Sequence, residues 1–436
     1  MSMQKSGNEP SPSEVATTTP SRRPSLWRQG DFMKLWTGQT ISQFGDEITL
    51  LALPLVAIVT LGAGALEMGA LGVIRFLPWI LFTLPAGVWV DRMRRRPILL
   101  SADVARALVL ASIPIAFLGG WLTIWQIYVV AFLAGTLEVF FDVAYQSYLP
   151  TIVERDELVE GNSKLELSRA GSSVVGPTVA GFLVEALRAP FAILVDAISY
   201  LGAVLFIALI RKSETGPVAH DPADGKRPSM WEEARAGLGY VRDSPYLRSI
   251  AACTGTFNLF GNVGQAVALL YIVTVLELSP ATIGLIFAIG NTGVLLGALT
   301  GGRLAKAFGT GPVIIGTAML GGLSLLSIPL APVDDPFWFL VAGGIIGGFS
   351  TVVYNVNQVG LRQAITPDRM LGRMNATMRL IVWGTIPIGA ALGGVLGSTV
   401  GLQSALWVAA AGAIGAFLPV FFSPVRTLRE IPAQAE

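Results

Sequence analysis

Twelve times along this chain about twenty mostly apolar residues run together, and that recurrence constrains the fold more than any other feature. A helix needs roughly 20 such residues to cross about 30 Å of hydrocarbon. Lipid offers no water to backbone amides, so a spanning segment must satisfy them internally, as a helix does. The spans read as 33–60, 69–90, 98–118, 124–148, 166–187 and 190–210, then 247–275, 281–302, 312–331, 336–357, 373–397 and 401–423. The expected fold is an all-α membrane protein of twelve transmembrane helices in two six-helix halves. Composition agrees: 14% of residues are charged, against about 25% in soluble domains. A soluble fold could not hide the 53% that are hydrophobic. The 49 glycines suit helices that pack closely in lipid.

The polar segments divide the chain. Residues 1–31 are rich in Ser, Thr and Pro and read as a disordered tail. They lack the short apolar segment and cleavage site of a secretory signal, so the first span is the expected insertion signal. A six-helix bundle over 32–211 is followed by a polar linker over 212–246, in which EEARAGLGYVRD reads as a short surface helix. A second bundle over 247–424 and a tail over 425–436 complete the chain. Of the short outer turns, near 61–68, 119–123, 188–189, 276–280, 332–335 and 398–400, only one holds a basic residue, Arg188. The opposite loops and both tails are rich in Arg and Lys. Basic loops stay on the cytoplasmic side, so both termini and the linker are expected there.

Several functions are disfavoured. A net charge of +1 gives no bulk basic character for nucleic acid. The only cysteine, Cys253, permits no intrachain disulfide, and the only histidine, His220, falls in the linker. Neither a His-based metal site nor a His-centred catalytic triad is expected. The chain has no nucleophile elbow, no metal-ligand cluster and no phosphate-binding loop. An enzyme, and ATP hydrolysis in particular, is therefore not expected, nor is a bound cofactor.

Traces of duplication remain. Phe44-Gly45-Asp46 in the first span matches Phe260-Gly261-Asn262 in the seventh, and Ala86–Arg92 closes the second span much as Thr300–Lys306 closes the eighth. Ala305 stands where the first half has Asp91. Such repeats mark transporters that rock two halves about a central site. The loop with Gly87, Asp91, Arg92, Arg95 and Arg96 resembles the major facilitator signature between helices 2 and 3. Gly allows close helix approach, Asp can face a helix N-terminus, and the arginines can pair with carboxylates, making a charge latch. In the fifth span, Gly171, Gly176, Pro177 and Gly181 resemble the helix-5 motif of drug/proton antiporters, although Gly181 falls one residue late.

The run Phe32–Asp46 resembles one branch of the superfamily, the transmembrane secretion effectors, which includes macrolide efflux pumps and the enterobactin exporter. Tyr148-Leu-Pro150, Asn162 and Asp196-Ala-Ile-Ser-Tyr extend the likeness over nearly the whole chain. The resemblance implies a twelve-helix exporter of the bacterial cytoplasmic membrane, driven by the proton gradient. Its cargo would be a small molecule, such as a lipophilic drug, a macrolide-like compound or a siderophore. An uptake symporter and a non-transporting receptor or scaffold remain as alternatives.

Ionisable groups inside a membrane are costly and usually functional. Asp46 and Glu47 stand roughly 21 Å along the first helix. Glu138 in the fourth span has a similar depth, with Asp142 one turn deeper on the same face. Helices 1 and 4 line the central cavity in this superfamily, so Asp46 and Glu138 are the candidate proton carriers and Glu47 a weaker one. A carboxyl group in a partly dry cavity can cycle between charged and neutral forms. Removing the charge of such groups would leave a cavity suited to cationic or lipophilic cargo. Arg75 and Asp196, each roughly 10 Å from the outer face, could pair, or Arg75 could bind an anionic group. Asp103, Arg106, Asp142, Arg169 and Arg379, with Asp91 and Arg92, read as an inner gate. Asn258, Asn262, Gln265, Asn291, Tyr354, Asn357 and Gln358 are candidate cavity lining, the first three forming one stripe.

Overall fold

The computed structural model describes residues 26–212, 214 and 230–430, leaving the side chains of Asp91 and residues 230–234 outside the description. Of the disordered tail expected over 1–31, residues 1–25 lie outside the described residues, as does His220, whereas 26–31 are ordered: Leu26–Arg28 form a 3-10 turn, Leu26 is buried and α1 starts at Gly30. Within them the chain is helical, and twelve helices are long and apolar enough to cross a membrane. They are α1 (Gly30–Leu55), α2 (Ala65–Arg92), α3 (Arg95–Leu118), α4 (Ile124–Ile152), α5 (Leu158–Leu187) and α6 (Ala189–Ala208). After the linker comes α7 (Met230–Asp243), the surface helix. The second set is α8 (Pro245–Thr274), α9 (Pro280–Phe308), α10 (Thr310–Ser324), α11 (Phe337–Ala364), α12 (Asp368–Thr399) and α13 (Leu402–Gly415), the last continued by α14 (Leu418–Phe421).

The helix ends follow local chemistry. Ser244 and Ser279 cap α8 and α9 by accepting from the amides of Leu247 and Thr282, and a proline opens each helix. That order is favoured because proline lacks the amide that a first turn leaves unpaired. Several helices outrun their apolar stretches. α5 starts at Leu158 rather than 166, α9 runs to Phe308 rather than 302, and α12 starts at Asp368 rather than 373. Hydropathy measures only the lipid-facing part, whereas Glu, Lys, Arg and Met continue a helix readily in water.

The two halves repeat one packing scheme. In the first, α1 packs on α5 and α6, α2 on α4, and α3 on α4 and α6. In the second, α8 packs on α12 and α13, α9 on α11, and α10 on α11 and α13. The matching tripeptides do not share a role, however. Gly45 lies so close to α6 that a Cβ there would collide with Ser199 and Asp196, whereas Gly261 has open space. In the second half the corresponding helix pair meets through Phe260, packed onto Gly412.

One face of the molecule, here the terminal face, carries both ends of the described chain, the end of α6 and the start of α8; the other carries the short turns that join α1 to α2, α3 to α4 and α5 to α6. The halves meet through α5 with α9 and α2 with α12, near the turn face. A Cβ on Gly69 would stand 2.6 Å from the Gly394 Cα, and one on Gly397 2.7 Å from the Ala65 Cβ. On the other seam, a Cβ on Gly284 would collide with the Pro177 carbonyl, and one on Gly181 with the Pro280 carbonyl. Glu185 then accepts from Ser279 Oγ (2.8 Å) and the Ala281 amide (3.0 Å), and Asn291 donates to the Ser173 carbonyl (2.5 Å). Towards the terminal face, Gly87 and Gly171 have no neighbour within 4 Å of where a Cβ would stand. The halves converge at one face and part at the other.

Gly284→Val therefore overpacks the α5–α9 seam, with a cost of about 1–3 kcal/mol. The melting temperature of the detergent-solubilised protein should fall, while Gly171→Ala should leave it within error. Equal melting temperatures for both variants would refute the seam.

Candidate functional site

Two features stand out: a buried charge cluster in the first half and a large cavity whose wall is mostly the second. The cluster begins with the α1–α6 contact. Because Gly45 has no side chain, α6 comes close enough for Thr49 to donate to Asp196 and for the Tyr200 hydroxyl to donate to Asp46. Ser199 Oγ donates to the other Asp196 oxygen at 3.1 Å. From α3, Arg106 reaches Asp46 (3.5 Å) and Asp103 (3.7 Å). Its guanidinium lies 4.4 Å above the Tyr200 ring centroid, a cation–π arrangement, with Phe141 at 5.8 Å.

Asp103 and Asp196 are fully buried, whereas the Asp46 side chain is 42% exposed and is the cluster's opening to the space outside. Glu138 lies within electrostatic reach of Arg106, Asp46, Arg75 and Asp142. One guanidinium thus faces four carboxyl groups, Asp46, Asp103, Glu138 and Asp196. Glu47 packs on Gly176 of α5, where a Cβ would stand 2.6 Å from the Glu47 Cγ. Gly176 therefore makes room for Glu47, while Gly181 serves the seam with α9.

The structure regroups the residues expected at the gate. Asp103 and Arg106 do not belong there: they lie about two and three turns into α3 and face the bundle core beside Asp46. Depth was misjudged because α3 starts at Arg95, so its first turns lie outside the apolar stretch. Asp196 is held by Thr49 and Ser199 rather than by Arg75. Arg95 and Arg96 bind within the first half: their amides donate to Glu214 at 2.7 and 3.2 Å, and Arg96 also donates to the Ala208 carbonyl at 2.7 Å. Glu214 thus places a carboxylate on the α3 N-terminus, where the helix dipole favours it. Arg92 is exposed, and the Asp91 side chain lies outside the described residues. Arg169 pairs with Glu166 in its own helix at 2.6 Å. Asp142, which accepts from Gln146, is in electrostatic reach of Arg379 across the two halves.

The cavity holds about 1500 Å³ and is bounded by α2, α7, α8, α10, α11 and α12. Its volume exceeds the roughly 300–1,000 Å³ of ordinary ligand pockets. Trp79, Phe257, Tyr354 and Trp383 give it flat apolar walls. Trp383 packs edge-on against Phe76 and Trp79 at 6.1 and 6.2 Å. Of the expected lining, Asn258, Tyr354 and Gln358 are present. Asn262 instead donates to the Asn258 carbonyl one turn back, and Asn357 to the Val353 and Gly301 carbonyls. Asn291 belongs to the α5–α9 seam. Gln265 and Arg75 are exposed away from the cavity wall. Amide side chains in lipid often satisfy a neighbouring backbone, so an amide stripe alone does not mark a cavity.

The Thr49, Ser199 and Tyr200 contacts went unforeseen. The spacing of Asp196, Ser199 and Tyr200 at i, i+3 and i+4 marks one helix face and carried that signal. Nothing in the sequence marks Glu214 or Glu185 as caps on distant helices.

Removing Arg106 leaves buried acids without their cation, which costs about 3–5 kcal/mol. Arg106→Ala should lower the melting temperature in detergent sharply, and adding Asp103→Asn should recover part of the loss. Strictly additive losses would show that the two residues do not interact.

Residues 24–435 match the family model described as transmembrane secretion effector. The chain is 23% identical to macrolide efflux protein A of Streptococcus pyogenes over 404 residues, 92% of this chain and 97% of that one. It is 26% identical to the enterobactin exporter EntS of Salmonella typhimurium over 382 residues, 86% and 85% of the two chains. Among solved structures it is similar to a bacterial homologue of the iron transporter ferroportin in an inward-facing state, with a TM-score of 0.69, 16% identity and coverage of 91% and 99%. With its duplicated six-helix packing and its matched length, this chain is a membrane transporter, not an enzyme, and belongs to the transmembrane secretion effector family of the major facilitator type.

Proposed function

We propose that this protein is a secondary exporter of the bacterial cytoplasmic membrane that moves an amphipathic small molecule outward by exchanging it for protons. The observation that carries the reading is the pairing of a ligand-sized cavity with a separate, multiply acidic cluster whose charge depends on proton occupancy. The terminal face is cytoplasmic on the loop charges, so the cavity loads from the cytoplasm or the inner leaflet. Cargo release requires the turn-face seams to open and the terminal face to close, with Asp142 approaching Arg379 and the Asp91–Arg96 loop acting as a latch. Asp46, exposed at the edge of the cluster, exchanges protons with the cavity side, and Glu138 is its partner on α4. Relatives named as macrolide efflux proteins and as an enterobactin exporter support the outward direction and a lipophilic drug, macrolide-like compound or siderophore as cargo.

In proteoliposomes with an imposed pH gradient, macrolide or siderophore addition should release a proton flux. Asp46→Asn and Glu138→Gln should each abolish most of it while leaving ligand binding intact. Flux unchanged in both variants would overturn the carrier assignment, and cargo moving with the proton would point to uptake. Orientation is tested in intact cells, in a Cys253→Ala background. A membrane-impermeant maleimide should label a cysteine placed at Asp334 and spare one placed at Arg155; the reverse pattern would invert the topology.

A further inference from the structure

We propose that the cavity selects an amphipathic anion, an apolar or aromatic body bearing a carboxylate, phosphate or sulfonate, and that Arg362 and Arg379 hold its head. The proposal rests on the export reading and adds the charge of the cargo. Four arginines, Arg235, Arg362, Arg373 and Arg379, line the cavity, and among the described lining residues there is no Asp or Glu. Asp46, Asp103, Glu138 and Asp196 gather instead around Arg106 in the first half. A cleft lined by one sign of charge, with low-dielectric walls, focuses its field and concentrates the opposite charge.

Two of the four define a head-group site. On α11, Tyr354, Gln358 and Arg362 recur at intervals of four, so one helix face carries them all to the cavity. Arg362 Nε and Gln358 Oε1 are withdrawn from water and have no hydrogen-bond partner. A guanidinium with a free Nε–H presents the fork that matches a planar oxyanion in bidentate fashion. Arg379, on α12, keeps its guanidinium 5.1 Å from the Trp383 ring centroid, and Asp142 of the opposite half lies within its electrostatic reach. An anion bound between Arg362 and Arg379 therefore competes with Asp142 for Arg379. Head-group occupancy and approach of the two halves are thereby linked.

The apolar body has its own place. Trp79, Phe257 and Trp383 offer flat faces in the cavity wall, Trp383 beside Arg379, while Arg362 stands near the terminal-face end of α11. A cationic amphiphile would find the same aromatic faces but no carboxylate among the described lining residues to offset its charge, at a desolvation cost. The acids that suggested a cationic cargo from sequence belong to the other half of the molecule.

The test uses the full chain in nanodiscs of phosphatidylcholine, with 1-pyrenebutanoate and 1-pyrenebutylamine as probes of matched body and opposite charge. Binding is read by energy transfer from tryptophan, with Trp79→Phe/Trp383→Phe locating the signal in the cavity. The carboxylate should bind about tenfold tighter, the factor that one charge-assisted hydrogen bond carries. Arg362→Gln should remove most of that preference, Arg362→Lys should keep part of it, and Arg362→Glu should reverse it. Arg303→Gln, outside the cavity, should change nothing. Equal binding of the two probes, tighter binding of the amine, binding of neither, or a preference that survives Arg362→Gln/Arg379→Gln would each overturn the proposal. Phenyl phosphate added from water and phosphatidate placed in the bilayer then compete separately, and the effective competitor identifies an aqueous or a membrane source. Charge-selective binding without gradient-driven movement in proteoliposomes would sink the export reading and leave the site; movement without charge selectivity would do the reverse.

Discussion

The close approach of backbone to backbone at the turn-face seams is the contact on which the rest of this structure depends. In lipid, apolar side chains gain little by leaving the lipid for one another, so helices associate through fine packing and a few hydrogen bonds. Gly69 against Gly394 and Gly284 against Pro177 supply such packing, and Asn291 and Glu185 add polar ties at the α5–α9 seam. With the halves joined there, the remaining length of α2 and α12 diverges around the cavity. Had the seams been set at mid-membrane, a cavity of about 1500 Å³ would have no room beneath them.

The same duplication that builds two matched bundles leaves them electrically different. In the first half, Gly45 admits α6 against α1, and that contact brings Asp46, Thr49, Asp196, Ser199 and Tyr200 together around Arg106. In the second, Gly412 admits the Phe260 ring instead, and the polar residues that remain turn towards the cavity or their own backbone. The buried charge cluster and the large cavity thus fall in different halves of the molecule. Between them lies the interface of the halves, where Asp142 comes within electrostatic reach of Arg379.

Much of this was legible in the chain itself. Apolar length disclosed the twelve spans, because lipid forces every spanning segment to meet its own hydrogen bonds. The candidate acids of α1 and α4 were visible because charge inside an apolar run has few explanations. Asp103 and Arg106 were visible as charges but misjudged in place, since α3 begins before its apolar stretch does and hydropathy does not show which way a side chain turns. The amide stripe of α8 failed for a related reason: Asn262 bonds to its own helix and leaves only Asn258 at the cavity.

What the sequence determined alone was everything that one helix and its solvent decide: that the chain spans a membrane, how often, and where its charges interrupt the lipid-facing surface. What the tertiary structure decided was which charges meet. Helix faces separated by more than a hundred residues came into contact, as in Tyr200 with Asp46 or Asn291 with Ser173. Those meetings depend on the rotation and tilt of whole helices, which are set by where glycine lets two backbones touch. A local pattern contains no record of that, because the partner backbone lies elsewhere in the chain.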